Sequence, residues 1–314
     1  MTAILYRGDC LTSLRRLPSG GVRCCVTSPP YWGLRDYGVA GQLGLEPTPD
    51  AYVAGMVEVF REVRRVLAED GTLWLNLGDT FATQGGAHGA RTDNQRGVGA
   101  KRTHALGGGD KEARTAPDGY KPKDLLGIPW SVAFALRADG WYLRSDIVWH
   151  KPNPLPESVT DRPTKAHEYV FLLTKSARYF YNADGIAEPS VSDPRRPSVA
   201  RGGFAGKTDG PDAPAGRNAF RAVRPTRNAR DVWTIAVRPY PGAHFATFPE
   251  ELPRRCILAG SAPGDTVLDP FAGTGTTGAV AVGLGRSAIL CELNPAYIEL
   301  ARQRIGPMLC EVAA

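Results

Sequence analysis

The chain has 314 residues, 42% hydrophobic and 22% charged, which suits one large α/β domain with insertions or two modest domains. No run of about eighteen apolar residues occurs, which excludes a membrane-spanning helix, and the N-terminal MTAILYRGDC lacks the basic region and apolar core of an export signal. The net charge of +6 is unevenly held: residues 85–123 carry eight Lys/Arg against four Asp/Glu, and residues 191–230 carry nine against three. These two Gly/Pro-rich basic segments on a slightly acidic body are either the footprint of a nucleic-acid binder or solvated loops.

In chain order, Ala3 to Tyr6 reads as a short strand ending at Gly8-Asp9-Cys10, and Leu11 to Leu17 as a helical turn or two. Val22 to Val26 is the next strand, and it runs into Thr27-Ser28-Pro29-Pro30-Tyr31-Trp32. Two prolines cannot continue a central strand or a helix, so they fix a stiff extended turn. The six cysteines are scattered without a C-x-x-C pair, and Cys24-Cys25 lie inside this apolar strand. Buried reduced thiols are expected, with neither a metal site nor a disulfide.

Tyr52 to Glu69 is an amphipathic helix on its 3.6-residue period, ended by Gly71, with Arg61, Arg64 and Arg65 as a solvated face. Thr72 to Leu77 is a buried strand closed by Gly78-Asp79. Residues 84–120 are Gly-rich, carry almost no apolar side chains, and are expected to form a mobile loop. Ile128 to Ala138 is a helix with Pro129 in its first turn, and the two strands Asp146–His150 and Glu168–Leu173 follow. The turn Lys151-Pro152-Asn153-Pro154 between them is either a contact to nucleic acid or Pro-rich punctuation. Residues 185–232 break the rhythm, with Arg221, Arg224, Arg227 and Arg230 at helix-like spacing. His244 to Pro249 then precedes a helix from Glu250 to Ala259.

Thr266-Val267-Leu268-Asp269 reads as a buried strand, Pro270 to Thr277 as a Gly-rich turn, and Gly278 to Val282 as a helix. A second strand, Ser287 to Cys291, ends in Glu292. Strand, Gly turn and helix build a cofactor crevice at the C-terminal end of a strand, and an acid after the following strand can hold a ribose. Small residues in the turn let the backbone approach a ligand closely. A plain tight connection is the alternative. A phosphate-binding P-loop is disfavoured because no Gly-Lys-Ser/Thr follows, and the string departs from G-x-G-x-x-G. Asp269 and Pro270 suit a cationic, amine-bearing ligand better than a pyrophosphate.

The Ser28-Pro29 turn has its own chemistry. The Ser28 hydroxyl and the Pro29 carbonyl can both accept, and an exocyclic NH2 offers two N–H donors. Holding both hydrogens aims the nitrogen lone pair, while the Tyr31 ring offers a flat base a stacking face.

DPFAGTGTT with its following acid, together with TSPPYW, resembles the S-adenosylmethionine-dependent DNA amino-methyltransferases. The catalytic motif precedes the cofactor motif, which is similar to the beta class of that family. The resemblance implies an α/β fold: a Rossmann-like, circularly permuted, seven-stranded, mostly parallel sheet with helices on both faces, one antiparallel strand and basic loop insertions. Residues 1–184 would be the catalytic half, 185–232 a target-recognition insertion, and 233–314 the cofactor-binding half. Ser28, Pro29, Pro30 and Tyr31 would be catalytic. S-adenosyl-L-methionine would be held by Asp9, Cys10, Thr27, Phe248, Asp269, Pro270, Phe271, Ala272, Gly273, Thr274, Gly275, Thr276, Thr277, Glu292 and Asn294. Lys151, Asn153, Arg221, Arg224 and Arg227 would contact double-stranded DNA.

The implied reaction is site-specific methyl transfer to the N4 amine of cytosine in a flipped base, with no covalent enzyme intermediate. Adenine N6 is the alternative; further alternatives are an RNA or protein-glutamine methyltransferase, or a DNA-binding module without catalysis. The family setting implies a cytoplasmic, nucleoid-associated protein of prokaryotic or phage origin, monomeric or homodimeric, with a cognate restriction endonuclease as an optional partner.

Overall fold

The computed structural model describes residues 1–82, 116–190, 225–237 and 249–313. Much of the expected mobile loop, and Arg221, Arg224, His244 and Phe248, lie outside the described residues.

The first half contains β1 (Ala3–Arg7), α1 (Cys10–Arg15), β2 (Val22–Thr27), α2 (Pro49–Val66), β3 (Leu67–Leu77), α3 (Ile128–Ala138), β4 (Tyr142–His150) and β5 (His167–Thr174). The second contains β6 (Glu188–Pro189), β7 (Thr226–Arg227), β8 (Val232–Thr234), α4 (Glu251–Gly260), β9 (Thr266–Asp269), α5 (Thr276–Gly283), β10 (Ser287–Glu292), α6 (Pro295–Ile305) and β11 (Leu309–Ala313). The main sheet runs β11-β1-β10-β9-β2-β3-β5-β4-β8. Only β5 is antiparallel to its neighbours, β3 and β4. The seven expected strands are its centre; β11 and β8 extend it to nine. Their signals were weak. β8 has three residues, and β11 follows a Gly306-Pro307 turn at the end of α6.

The sheet is buried on both faces. Helices α1 to α3 and the strand residues facing them, such as Leu73, Leu75 and Phe171, form one core with Tyr52, Phe60 and Leu136. On the other face Trp74, Trp233, Ile257, Leu290 and Ile298 form a second. Near-continuous apolar strands such as Leu73-Trp74-Leu75 follow from this double burial.

The helices begin where the chain supplies caps. Asp9 accepts from Thr12 N at 2.8 Å and opens α1, and Thr48 accepts from Ala51 N at 3.2 Å ahead of α2. Helix α2 stops at Val66, earlier than the expected Glu69, and passes directly into β3. Gly71 lies inside that strand at a register shift against β2, where an added Cβ would sit 3.0 Å from the Ala68 carbonyl. Periodicity alone misplaced the boundary, because Leu67 suits the end of a helix as well as the start of a buried strand. The arginines of α2 are not simply solvated. Arg65 donates to the carbonyls of Leu14 and Leu17 at 2.7 and 2.9 Å, closing the end of α1, and Arg61 pairs with Asp139 at 2.6 Å.

After a 3-10 turn at Asp184–Ile186, the Arg-rich segment is extended at Glu188–Pro189 and Thr226–Arg227. Glu188-Pro189 pairs antiparallel with Thr226-Arg227, and Glu188 ion-pairs with Arg227 and Arg230 at 3.2 and 3.0 Å. The helix-like spacing of the arginines is therefore not realised at Arg227. Pro225 removes a backbone donor that a helix through this point would need. The chain then rejoins the sheet as β8, and Trp233 stacks on Trp74 with ring centroids 6.2 Å apart.

Candidate active site

Strands β9 and β2 lie side by side and parallel, and the connections leaving them run to opposite sides of the sheet. That is the switch point at which an open α/β sheet leaves a crevice beyond its strand ends. β9 ends at Asp269 and β2 at Thr27, and the Thr27 hydroxyl donates to Asp269 Oδ1 at 2.7 Å. The DPFAGTGTT and TSPPYW turns, about 240 residues apart in sequence, thus emerge together. β1 pairs with β10 in register, Arg7 opposite Glu292, which brings Asp9 and Cys10 to the same edge.

One cavity of about 350 Å³ opens along this edge. Gly8, Asp9, Cys10, Pro270 to Thr274, Thr276, Glu292 and Asn294 line one part, and Ser28, Pro29, Pro30 and Tyr31 line another. Thr27, Asp269, Gly275 and Thr277 stand outside the lining. Thr277 directs its hydroxyl towards the Val26 carbonyl at 3.5 Å.

The Gly-rich turn owes its shape to two glycines with different tasks. Gly273 has φ +52° with open space where a Cβ would stand, and its N–H donates to Glu292 Oε2 at 2.7 Å. Gly275 has φ +77°, and an added Cβ would lie 2.9 Å from the Ala301 Cβ. The close approach at Gly275 is therefore to α6, not to a ligand.

Two carboxylates dominate the electrostatics. Asp269 is fully buried; its Oδ1 accepts from Thr27 and from Phe271 N at 3.0 Å, while Oδ2 has no hydrogen-bond partner among the described residues. Burial raises its pKa to about 6. Glu292 accepts from Gly273 N and from Asn294 N, each at 2.7 Å, and burial raises its pKa to about 7. The Thr274 hydroxyl is also buried without a partner among the described residues. Asp9 spends its carboxylate capping α1, and burial followed by the nearby Asp9 charge pushes the Cys10 thiol up to about 12, so Cys10 offers packing and no nucleophile.

The Ser28 end of the cavity holds a network that the sequence did not disclose. Ser28 Oγ donates to the Tyr31 hydroxyl at 3.3 Å, and Tyr31 donates to Glu168 Oε2 at 2.7 Å. Asn76 Nδ2 donates to Glu168 Oε2 and to the Tyr169 carbonyl, each at 3.1 Å, and Lys151 ion-pairs with Glu168 Oε1. The Tyr31 ring packs against Gly78, where a Cβ would fall 2.6 Å from Cε2. Lys151 thus turns into the cavity, its ammonium 4.4 Å from the Trp149 ring centre. Asn153 exchanges two hydrogen bonds with the Val237 backbone, at 2.9 and 3.0 Å. Arg227 is engaged by Glu188.

Asn76 and Glu168 were missed as site residues, although each is a polar residue beside or within an apolar run, LWLNL and EYVFLL. The loop carrying Leu34, Arg35, Tyr37 and Gln42 also lines the cavity. It bears no motif, and its Gly and polar composition reads only as a connection.

The permuted sheet and the paired turns at its switch point define an amino-methyltransferase architecture. The family model of N6 and N4 methyltransferases, described as DNA methylase, matches residues 22–303. The Type II methyltransferase M.Cfr9I of Citrobacter freundii is 48% identical over 303 residues, covering 96% of this chain and 87% of that protein. M.SmaI of Serratia marcescens is 45% identical over 298 residues, covering 95% and 89%. The chain belongs to this family of Type II DNA amino-methyltransferases. Among solved structures, the cytosine-N4-specific PvuII DNA methyltransferase shares the fold at TM-score 0.62 and 20% identity, over 97% of this chain and 86% of that one. TTHA0409 of Thermus thermophilus, a putative DNA modification methylase solved with S-adenosyl-L-methionine, shares it at TM-score 0.60 and 23% identity, over 99% and 98%.

The family's methyl donor, S-adenosylmethionine, fits the residues present. Glu292 lines the cavity as a carboxylate suited to ribose hydroxyls. Asp269, buried at the base of the same turn with an unpartnered Oδ2, supplies negative charge suited to a cationic ligand. The Thr274 hydroxyl, without a partner among the described residues, and apolar Phe271 line the cavity from that turn. No helix of the described residues is long and apolar enough to cross a membrane.

Proposed function

We propose that this DNA amino-methyltransferase methylates the exocyclic N4 of cytosine in duplex DNA, at a specific site and on a base flipped out of the helix. The observation that carries the reading is the Ser28-Pro29 turn opening into the same cavity as the cofactor motif. When bound, S-adenosylmethionine supplies an electrophilic methyl on a sulfonium; Glu292 would hold the ribose hydroxyls and Asp269 would face the positively charged methionine portion. The Ser28 hydroxyl and the Pro29 carbonyl accept the two N–H bonds of the amine and leave its lone pair aimed at the methyl.

Within the family, a serine in the first position of this motif goes mostly with cytosine N4 and an aspartate mostly with adenine N6. Among the relatives, the PvuII enzyme is described as cytosine-N4-specific. Neither a cysteine nucleophile nor a covalent intermediate is required, since the attacking atom belongs to the base. The buried thiols agree: burial pushes both Cys10 and Cys24 up to about 12.

The remaining assignments are proposals of the same kind. Residues 1–184 and 233–314 form the two halves of the catalytic domain, and 185–232 is the target-recognition insertion. In support of the last, its described ends form a short antiparallel stem beside the sheet. Lys151, Asn153 and the arginines of that insertion act on the DNA side. A cognate restriction endonuclease is an optional partner, and the protein works as a monomer or homodimer in the cytoplasm.

The test is to incubate the protein with methyl-labelled S-adenosylmethionine and mixed-sequence duplex DNA, digest to nucleosides, and identify the labelled one. Label in N4-methyldeoxycytidine is expected. Label in N6-methyldeoxyadenosine would overturn the choice of base, and label only in RNA or peptide competitors would overturn the substrate.

A further inference from the structure

The Ser28 hydroxyl is both a donor and an acceptor, and only one of these faces suits an incoming amine. An NH2 group brings two hydrogens, so Ser28 helps only while its own proton points elsewhere. The Tyr31 oxygen lies 3.3 Å away, within reach of that proton. Tyr31 can receive it because its own proton is given to Glu168 Oε2 at 2.7 Å. The chain ends there: Glu168, ion-paired with Lys151, is an acceptor-only carboxylate. Both side chains are mostly buried, 15% and 19% exposed, so solvent does not screen them away.

The rest of the cluster enforces the same direction. Asn76 Nδ2 donates to Glu168 Oε2 and to the Tyr169 carbonyl, both acceptors, so the amide orientation is dictated by its neighbours. Its Oδ1 lies 3.1 Å from the Tyr31 hydroxyl and is the second acceptor facing that oxygen. A charge-assisted contact at 2.7 Å outcompetes a neutral one at 3.1 Å. Burial and the Glu168 charge also hold the Tyr31 pKa well above its usual value, so the phenol keeps the proton it donates.

We propose that Glu168 is a positioning residue for the methyl transfer: it orders the hydrogen bonds Ser28 to Tyr31 to Glu168 so that Ser28 presents lone pairs alone to the amine. The inference deepens the reading of Ser28 as the acceptor of the amine's N–H and rests on it. Lys151 has a defined part. It faces Oε1 and leaves Oε2 to Tyr31 and Asn76.

Glu168→Gln is the incisive variant, being equal in size. Lys151 attracts the new amide oxygen, which turns the amide NH2 towards Tyr31. The Tyr31 proton is then left to the neutral Asn76 Oδ1 at 3.1 Å, a weaker acceptor than the carboxylate, so it turns more often towards Ser28, which then presents its own proton to the amine. Tyr31→Phe keeps the ring and removes the link. The measurement is single-turnover methyl transfer at saturating cofactor, together with cofactor Kd and Tm, for Glu168→Gln, Tyr31→Phe and the double variant. The expected result is a rate loss of roughly 10- to 100-fold in each single variant, cofactor Kd within about twofold, and a double variant no slower than the slower single. A merely structural role would instead lower Tm and leave the two losses independent. Single variants at the unaltered rate, or losses that multiply, would overturn the proposal. If Glu168→Gln fails to fold, Tyr31→Phe decides alone, since its retention of full rate contradicts the chain. Ser28→Ala separates the two levels: if it is active the reading of Ser28 fails, and if it is inactive while the other variants are silent only this inference fails.

Discussion

Asp269 and Glu292 bind protons more tightly in the folded chain than in a typical unfolded one, because burial raises them to about 6 and about 7. Their contribution to stability is therefore fully present below about pH 4, where both states are protonated, and is lost as pH rises through those two values. A cationic cofactor reverses the preference, since it favours both carboxylates in their charged forms. The increase in Tm given by saturating S-adenosylmethionine should accordingly grow between about pH 5.5 and 8; melting curves with and without cofactor across that range check it, and a constant or shrinking increment contradicts the roles given to these two acids. Asp269→Asn keeps the shape and removes the charge, and is expected to weaken cofactor binding by about 100-fold, or about 2.7 kcal/mol, measured by calorimetry. At this scale the two turns that line the cavity were legible because backbone constraint and side-chain type coincide in a short string. Asn76 and Glu168 were not, because a single polar residue near an apolar strand has no period and its partners lie 92 residues apart.

Among the elements, the turn between β9 and α5 is the most constrained. Gly275 combines a left-handed backbone with the contact to Ala301 on α6, so Gly275→Ala faces strain and a clash together. A loss of roughly 2–4 kcal/mol is expected, seen as a lower denaturant midpoint even without cofactor. An unchanged midpoint would show that α6 yields to the new methyl group. The helices and buried strands were readable from their period, and α3, with Pro129 in its first turn, was placed to the residue. The α2–β3 junction escaped because no loop intervenes and Leu67 serves either element. Edge strands β8 and β11 escaped because pairing with a neighbour, and not their own composition, makes them strands.

Across the whole molecule, positive charge concentrated in residues 85–123 and 191–230 is set against a slightly acidic body. DNA affinity should fall log-linearly with salt. Replacing Arg221, Arg224 and Arg227 by Ala should flatten that slope by about one unit for each phosphate no longer neutralised, while leaving cofactor affinity unchanged. Titrations of duplex DNA at several salt concentrations test this; an unaltered slope would place the DNA-binding surface elsewhere. Arg227 carries a second effect, since its replacement also removes an ion pair from the β6–β7 stem. The larger organisation follows from topology. The catalytic turn leaves β2 early in the chain, the cofactor turn leaves β9 late, and parallel pairing of those strands joins them through Thr27 and Asp269. The central claim is that this junction sets an amine held by Ser28 and Pro29 against a methyl donor held by the second turn. The most direct test is Ser28→Ala, assayed for single-turnover methyl transfer to DNA and for cofactor affinity in the same preparation. A rate loss of about 10²- to 10³-fold with cofactor Kd unchanged is the result predicted; a full rate, or a loss explained by weaker cofactor binding, would contradict the account.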